Sequence, residues 1–226
     1  MTQPATRQND MVSGLLAEYA LGGLTKPVSV LVASHLELSP HGQAWMRDLE
    51  LMHKVVRKPD APTELHVFDQ IDPIAFADRD AALGSVFAAI DAEEKARAKS
   101  APGMPEALEN FIGMAVTDVP WKKVLPGFAE HKLPDVDGCE VSLLRIDGGK
   151  TMPVHTHHGS EITLVLQGAF SDQNGTYGVG DIAYADNEIN HKPVAEPGEA
   201  CICFAVVDAP LELTGPIGRL MNPFIR

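Results

Sequence analysis

Residues 149–168 of the chain read GKTMPVHTHHGSEITLVLQG, a stretch with the spacing G-x5-H-x-H-x3-E-x6-G. Side chains alternate along a β-strand. His155 and His157 are therefore expected on one face, where both imidazoles can bind the same ion, and His158 is expected to point away. A turn after His158 would return the Glu161 carboxylate to that ion at the start of the next strand. The stretch therefore predicts three ligands of a metal site built on strands.

A second stretch, residues 180–195, reads GDIAYADNEINHKPVA and supplies a fourth candidate ligand. Its His191 follows the first stretch by about a pair of strands, which can bring its ring to the same ion. Three imidazoles and one carboxylate suit zinc, iron, manganese, nickel or copper, whereas calcium and magnesium prefer oxygen ligands. The sequence therefore predicts one divalent transition metal, bound by His155, His157, Glu161 and His191.

The first stretch resembles the first motif of the cupin superfamily, whose glycines, histidines and glutamate it matches without a gap. The second cupin motif, G-x5-P-x-G-x2-H-x3-N, is half present, because only Gly180 and His191 match it. The motif's proline, glycine and asparagine are replaced by Asp186, Glu188 and Ala195. The resemblance implies a β-barrel of the cupin type, with an unusual turn before the fourth ligand.

The composition is that of an acidic globular protein. Of the 226 residues 45% are hydrophobic, and 31 acidic against 18 basic side chains give a formal net charge of −13. This charge argues against direct nucleic-acid binding, which needs clustered lysine and arginine. No apolar run approaches the ~20 residues of a membrane helix, and the N-terminus lacks the apolar core of a signal peptide. We therefore expect a cytoplasmic protein that binds neither membranes nor nucleic acid directly.

The cysteines do not predict a disulfide framework, because they are few and their number, three, is odd. Cys201 and Cys203 alternate within the strand-like run ACICFAV and should share one face. A role as small buried residues of the barrel is favoured over a redox or metal role.

The first hundred residues have helical periodicity. Apolar side chains over residues 12–19 follow i, i+3, i+4, i+7 spacing, and Gly22-Gly23 is a stop signal. Thr25 can cap a second helix, and Ser39-Pro40 can begin a third whose apolar face extends to position 56. Another amphipathic helix is predicted near residues 83–90. Short connections between such helices are typical of a small bundle.

After about residue 110 the pattern changes to short apolar or alternating runs separated by Gly, Asp and Pro turns. Runs such as CEVSLLRI, EITLVLQGAF and ACICFAVV predict a closed barrel or jelly roll. The predicted class is α+β. It consists of a small helical bundle over residues 1–57 (the helical segment), a linker with an amphipathic helix over residues 58–109, and an all-β cupin barrel, a double-stranded β-helix or jelly roll, over residues 110–226.

A more specific resemblance spans nearly the whole chain. The segments EITLVLQGAFSD, YGVGDI, HKPVAEPGEACICFAVVDAPLELTGPIGRL and NPFIR resemble the C-terminal cupin of ChrR-type anti-sigma factors. The segment VSGLLAEYALGGLTKPVSVLVASHLELSP resembles the helical domain with which that family binds an extracytoplasmic-function sigma factor. The resemblance implies zinc as the cupin metal, a sigma factor as the partner and oxidative stress as the signal.

The helical segment departs from the family pattern at one place. The family's zinc-binding helical domain carries H-x3-C-x2-C, and here His35 stands at the first position while Ser39 and Gly42 occupy the cysteine positions. Serine is a poor zinc ligand at neutral pH, and glycine offers no ligand. His41 and His53 could rebuild a site with His35, but packed or exposed helix residues are the favoured interpretation. We therefore predict no tightly bound zinc in this segment.

Three functions are compatible with these features. The leading hypothesis is a regulator whose metal-bound cupin senses a chemical signal and whose helical segment binds a sigma factor. The candidate apolar contacts for the sigma factor are Leu16, Tyr19, Leu31 and Val32. The second hypothesis is a metal-dependent cupin enzyme, a dioxygenase or isomerase acting on a small oxygenated substrate. The third hypothesis is a metal-stabilised module that catalyses no reaction. A homodimer is also compatible with the sequence.

Overall fold

The computed structural model describes residues 4–39, 42, 44 and 104–214, all of which fall in one compact unit. Several predictions lie outside the described residues: the course of the third helix beyond position 44, the linker, the helix near residues 83–90 and the C-terminal NPFIR. The domain boundaries that the sequence suggests after residues 57 and 109 therefore remain a prediction.

Two helices occupy the N-terminal segment, α1 over Pro4–Leu21 and α2 over Lys26–Leu38. Gly22, with a φ of 72°, ends α1 in the left-handed conformation of the predicted stop. Thr25 stands at the N-cap of α2, as predicted, although its side chain makes no capping hydrogen bond. No single described helix is long and apolar enough to cross a membrane. The part of α1 from Gln8 onward and α2 pass that test only as a pair, which is bent by 109°.

A short helix precedes the barrel. Helix α3 spans Glu106–Ile112, and a 3-10 helix follows over Val116–Asp118. The Glu37 carboxylate, at the end of α2, accepts hydrogen bonds from the backbone N–H groups of Glu106 and Ala107 at 2.6 and 2.9 Å. The first N–H groups of a helix lack partners within the helix, and a carboxylate there satisfies them. The end of α2 is thereby joined to the start of α3.

Antiparallel strands form most of the remaining described chain. Their bounds are β1 Lys122–Leu125, β2 Phe128–Lys132, β3 Glu140–Ile146, β4 His155–His157, β5 Glu161–Gln167, β6 Ala169–Asp172, β7 Gly175–Gly178, β8 Ile182–Ala185, β9 Val194–Ala195, β10 Cys201–Val207 and β11 Leu211–Leu213. Over the described residues the largest sheet has the order β1-β2-β3-β10-β5-β8, and smaller sheets have the orders β7-β6-β9 and β11-β4. Helices followed by antiparallel cupin sheets confirm the predicted α+β class.

Strand β10 lies inside the largest sheet and is buried on both faces. Cys201 and Cys203 belong to the core inside the barrel, with Sγ atoms 3.5 Å apart, whereas Ile202 and Phe204 belong to the core beneath the helices. This double burial explains why ACICFAV is apolar without alternating with polar residues. The hydrogen bond with Cys201, together with burial, raises the pKa of the Cys203 thiol. Both cysteines are the small buried residues that the sequence predicted.

The outer face of the largest sheet is apolar and is covered by helices. Strand β5 contributes Ile162, Leu164 and Leu166 to that face. Helix α2 packs over β5 and β10, and α1 packs over β8. The Phe111 ring of α3 meets the Phe204 ring edge-on, with centroids 6.3 Å apart. Helices and sheet thus share one hydrophobic core, and a second core fills the barrel interior.

Candidate metal centre

Strand β4 is the short segment HTH, and it places two imidazoles inside the barrel. His155 and His157 are 2% and 1% exposed, whereas Thr156 between them is only partly buried. The His158 side chain is 64% exposed and lies 3.5 Å from the Glu212 carboxylate. The predicted alternation along this strand is therefore confirmed.

The turn between β4 and β5 is held by Asp208, which follows β10. Its carboxylate accepts hydrogen bonds from the backbone N–H and the hydroxyl of Ser160, both at 2.6 Å. The Asp208 N–H donates in return to the Ser160 carbonyl at 3.1 Å. A Cβ on Gly159 would clash with the same carboxylate, so the turn needs glycine for space. The turn delivers Glu161 to the first position of β5.

A pair of backbone hydrogen bonds places His191 opposite His155. The His155 N–H donates to the His191 carbonyl at 3.1 Å, and the His191 N–H donates to the His155 carbonyl at 3.0 Å. The preceding turn is built by Asp186, whose carboxylate accepts from the Glu188 N–H and whose carbonyl accepts from the Ile189 N–H, both at 3.0 Å. An aspartate turn thus stands where the cupin motif has proline and glycine, which is the unusual turn that the sequence predicted.

The four predicted ligands converge, and one donor atom of each lies within 4.8 Å of the others. We call these four side chains the cluster. The Nε2 atoms of His155 and His157 lie 2.8 and 3.3 Å from Nε2 of His191. The Glu161 Oε2 atom lies 2.7 Å from Nε2 of His157, and 3.9 and 4.0 Å from the other two Nε2 atoms. Donors bound at about 2.0–2.2 Å to one tetrahedral zinc ion are roughly 3.3 Å apart, so these separations are of the size that one ion requires.

Hydrogen bonds on the far side of two rings favour a cation at the centre of the cluster. Nδ1 of His155 lies 2.9 Å from the Pro153 carbonyl, and Nδ1 of His191 lies 3.3 Å from Oδ2 of Asp172. Both partners are acceptors, so each Nδ1 carries a hydrogen and each Nε2 of a neutral ring presents a lone pair. Two lone pairs 2.8 Å apart repel each other unless a cation lies between them. The donor set therefore fits a metal ion, and the cluster could hold one.

The charges within the cluster stabilise one another. Burial alone would raise the pKa of the Glu161 carboxyl, but hydrogen bonds and charge from His155 and His157 hold that pKa well below its usual range. Burial alone would lower the pKa of His155, but the Glu161 carboxylate raises it instead. The buried Nδ1 of His157 has no hydrogen-bond partner among the described residues, so its ring is oriented from Nε2. Glu161 thus remains an anion at neutral pH, as a ligand of a divalent cation must.

Two supporting residues carry no signal in the sequence motifs. Asp172, at the end of β6, orients His191, and Asp208 holds the turn before Glu161. Both are distant in sequence from the residues that they position, and acidic residues beside turns are common on protein surfaces. Only the strand pairing of the barrel brings them to the site, which is why the sequence analysis missed them.

A cavity of about 390 Å³ borders the cluster. His155, His157 and Glu161 form part of its wall, and the rest is mainly apolar, with Leu144 as an example. Glu130 also lines the wall, where burial raises the pKa of its carboxyl. Because an apolar cavity of about 150 Å³ accommodates benzene, this one can admit a molecule of roughly a dozen non-hydrogen atoms.

The histidine of the helical segment has different neighbours. Nδ1 of His35 lies 2.7 Å from the Gly180 carbonyl, at the turn into β8. A Cβ on Gly42 would lie 2.6 Å from Nε2 of the same ring, so glycine allows the ring to approach closely. The Ser39 hydroxyl accepts a hydrogen bond from the Gly42 N–H at 3.3 Å, the bond that an N-cap residue makes.

Within the described residues, no group of three or more metal donors forms around His35. His41 and His53 lie outside the part of the chain that the structure describes. The absence of tightly bound zinc from the helical segment therefore stays a prediction.

The sequence profile of the ChrR Cupin-like domain family matches residues 109–209. The curated relative Anti-sigma-E factor ChrR of Cereibacter sphaeroides is 35% identical over 224 residues, which cover 98% of this chain and 99% of the relative. The chain belongs to the ChrR family of anti-sigma factors. The resemblance to ChrR-type proteins that the sequence motifs predicted is thereby confirmed, and it includes the helical segment.

One solved structure agrees with membership of the ChrR family. A chain in the crystal structure of Rhodobacter sphaeroides SigE in complex with the anti-sigma ChrR matches with a TM-score of 0.62 and 34% identity, over 87% of this chain and 96% of that chain. An RmlC-like cupin protein from Ralstonia eutropha matches with a TM-score of 0.40 and 21% identity, over 48% of this chain and 81% of its own.

Proposed function

We propose that this protein is an anti-sigma factor whose helical segment binds an extracytoplasmic-function sigma factor and whose cupin senses oxidative stress. The observation that carries the proposal is the similarity to Anti-sigma-E factor ChrR along nearly the whole chain. A similar chain is found in a complex with the sigma factor SigE. The net charge of −13 suits a partner with basic, DNA-facing surfaces. Because a sigma factor acts on the transcription machinery, the proposed location is the cytoplasm.

The proposed metal ligands are the four residues of the cluster, and zinc is the expected ion. Three neutral imidazoles and a carboxylate saturate a tetrahedral zinc ion, as in structural and sensory sites. Iron, nickel and manganese are the alternatives, since they accept the same donors and leave further coordination positions. The Pro153 carbonyl and the Asp172 carboxylate would orient two of the imidazoles towards the ion. When bound, the ion supplies the positive charge that holds the four side chains together.

The cavity beside the cluster supports the sensing of a small molecule. Three of the four proposed ligands line its wall, so a molecule inside it can reach the metal or displace a ligand. The ligands come from β4, from the start of β5 and from the segment before β9. Loss of one ligand would loosen these elements relative to one another, which is the kind of local change that a switch protein converts into altered binding.

Co-purification tests the sigma-factor half of the proposal. The tagged full-length protein should retain an extracytoplasmic-function sigma factor from extracts of its own cell. Elemental analysis of the same sample should find about one transition-metal ion per chain. A metal-bound protein that retains no sigma factor would contradict the regulator proposal.

The same cavity favours a second candidate function, a metal-dependent dioxygenase or isomerase acting on a small oxygenated substrate. Such an enzyme needs room for its substrate beside the metal, and the cavity has that room. The iron-loaded protein should then take up oxygen when a substrate is added, and it should bind no sigma factor. Oxygen uptake without sigma-factor binding would replace the regulator proposal with the enzyme.

A further inference from the structure

Alternate residues of β2 and β3 form one wall of the cavity beside the cluster. They are Phe128, Glu130 and Lys132 of β2 and Glu140, Ser142 and Leu144 of β3. Glu130 lies opposite Leu144 in the strand pair, and Ser142 is its diagonal neighbour on the same face. The Glu130 carboxylate therefore stands among apolar side chains, with the Ser142 hydroxyl within hydrogen-bonding reach.

The Glu130 carboxylate is incompletely stabilised by its surroundings. Burial raises the pKa of this carboxyl, and it outweighs the opposing effects of the Lys132 charge and of a hydrogen bond with Ser142. The Lys132 ammonium also pairs with the Glu140 carboxylate at 3.5 Å, and both of these side chains are about half exposed. A carboxylate has about four acceptor positions. A hydrogen-bond donor that enters the cavity would therefore stabilise Glu130.

The wall outside the cluster has more negative than positive charge. Its acidic residues are Glu130, Asp135 and Glu140, and among the described residues that line it one amine is present, that of Lys132. Like charges repel each other more strongly beside apolar groups than in water. A ligand with a carboxylate group would therefore be disfavoured near Glu130.

A ligand with an ammonium group is also disfavoured, for a different reason. Its transfer from water to a mainly apolar wall costs free energy, and pairing with a partly buried carboxylate does not in general recover that cost. An uncharged hydroxyl group loses much less hydration, and it still donates a hydrogen bond to a carboxylate. Among these three polar groups, the hydroxyl therefore suits the wall best.

We propose that the cavity binds a small, uncharged and mainly apolar molecule with a hydroxyl group, and that Glu130 selects this class by accepting a hydrogen bond from the hydroxyl. The inference rests on the proposed function, because the cavity is the proposed sensing site. The volume of about 390 Å³ accommodates an aromatic or branched alcohol of roughly a dozen non-hydrogen atoms. His155, His157 and Glu161 line the same cavity, so a molecule held at Glu130 remains beside the cluster.

Two probes that share a phenyl ring test the selection by Glu130. Isothermal titration of the zinc-loaded full-length protein at neutral pH measures the dissociation constants of benzyl alcohol and of benzoate. The wild type should bind the alcohol at least about 10-fold more tightly, because a charge-assisted hydrogen bond replaces a contact between like charges. Glu130→Gln keeps the size of the side chain but removes its charge, so the preference should fall to about 2-fold or less.

Glu199→Gln is the matched control, since it removes an exposed carboxylate that lies outside the cavity wall. It should keep the wild-type preference for the alcohol. Elemental analysis should find the same metal content in all three proteins, so that a changed preference is not an effect of the ion. An unchanged preference in Glu130→Gln, or tighter binding of benzoate than of benzyl alcohol by the wild type, would overturn the proposal.

The location of the probe is tested without a variant. In the NMR spectrum of the zinc-loaded wild type, benzyl alcohol should shift the amide signals of Glu130, Ser142 and Leu144 and leave that of the exposed Glu18 in α1 unchanged. Shifts confined to other parts of the chain, or no binding of either probe, would overturn the proposed ligand class. Retention of a sigma factor by the same protein would then leave the regulator proposal intact. Binding of the alcohol without retention of a sigma factor would overturn the regulator proposal alone.

Discussion

Two histidine sites in this chain begin from ligand patterns of one family and end in different structures. In the barrel, His155 and His191 face each other with Nε2 atoms 2.8 Å apart, and the Glu161 carboxylate lies beside them. In the helical segment, one nitrogen of His35 meets the Gly180 carbonyl and the other lies next to Gly42. The barrel therefore concentrates four donors around one point, whereas no group of three or more donors surrounds His35 among the described residues.

Among the described residues, the two regions differ in whether further donor side chains accompany the histidine. The positions of the two missing thiolates have taken structural roles, since Ser39 makes the hydrogen bond of an N-cap and Gly42 provides space for the imidazole. The histidine then joins the helices to the barrel.

Removal of a barrel ligand should have the largest effect. His157→Ala or His191→Ala should reduce bound metal from about one ion per chain to nearly none, because the remaining donors lose most of the affinity. The midpoint of thermal unfolding should fall with the metal content. His158→Ala is the matched control, since that side chain is exposed, and it should retain the metal. Equal metal content in all these proteins, measured by elemental analysis, would contradict the assignment.

Restoration of the missing donors should create a second site. Full-length Ser39→Cys/Gly42→Cys should raise the metal content from about one to about two ions per chain, because two thiolates would join His35. The His35 ring must shift slightly, since a Cβ at position 42 would lie 2.6 Å from its Nε2. Ser39→Ala/Gly42→Ala should leave the content unchanged. The prediction would be wrong if His157→Ala kept a bound metal ion and the double variant His35→Ala/His157→Ala lost it. That result would show that the helical segment already binds an ion.

The pH dependence of stability should distinguish the metal-free from the metal-loaded barrel. Without metal, the Glu161 carboxylate raises the pKa of His155. The attraction between the two charges therefore stabilises the fold fully below the ordinary histidine pKa of 6.5. This stabilisation is lost as the pH rises through the pKa of His155 in the folded state. With metal, the ligands must be neutral imidazoles, so the stabilisation grows over the same rise in pH. The two curves should therefore have opposite slopes.

Urea unfolding with chelator or with zinc, between about pH 5 and pH 9, measures those slopes. In the metal-free protein the pKa of Glu161 lies below its usual value. Protonation of this carboxylate should therefore reduce stability only as the pH falls below about 4.5, outside the measured range. Parallel curves with and without zinc would contradict the role of the cluster as a metal site.

Substitution of single glycines should have the smallest effects, with opposite signs in the two regions. Gly159→Ala in the barrel should lower the free energy of unfolding by about 1–3 kcal/mol, because the new Cβ displaces the Asp208 carboxylate from the turn. Gly14→Ala in α1 should raise it by about 0.5–1 kcal/mol, since no atom lies within 4 Å of the added Cβ and alanine favours a helix. Denaturant unfolding of the metal-loaded protein measures both, and equal signs would contradict the comparison.

The local features of the barrel could be predicted because they depend on short-range rules. Alternation along β4 places His155 and His157 on one face and His158 on the other. The glycine pair after α1 ends that helix as predicted. In contrast, the residues that support the cluster could not be predicted, because Asp172 and Asp208 reach it through the pairing of strands that are distant in sequence.

Local sequence patterns predicted the α+β class, the end of α1, the runs that form β3, β5 and β10, and the four residues of the cluster, because periodicity and motif spacing are properties of neighbouring residues. The partners of His35 and Gln8, in contrast, depend on the long-range fold. Their partners Gly180 and Ile182 lie 145 and 174 residues away in the chain. Such contacts form because the apolar faces of the helices and of the sheet must both be removed from water, and no local pattern records which two faces will meet.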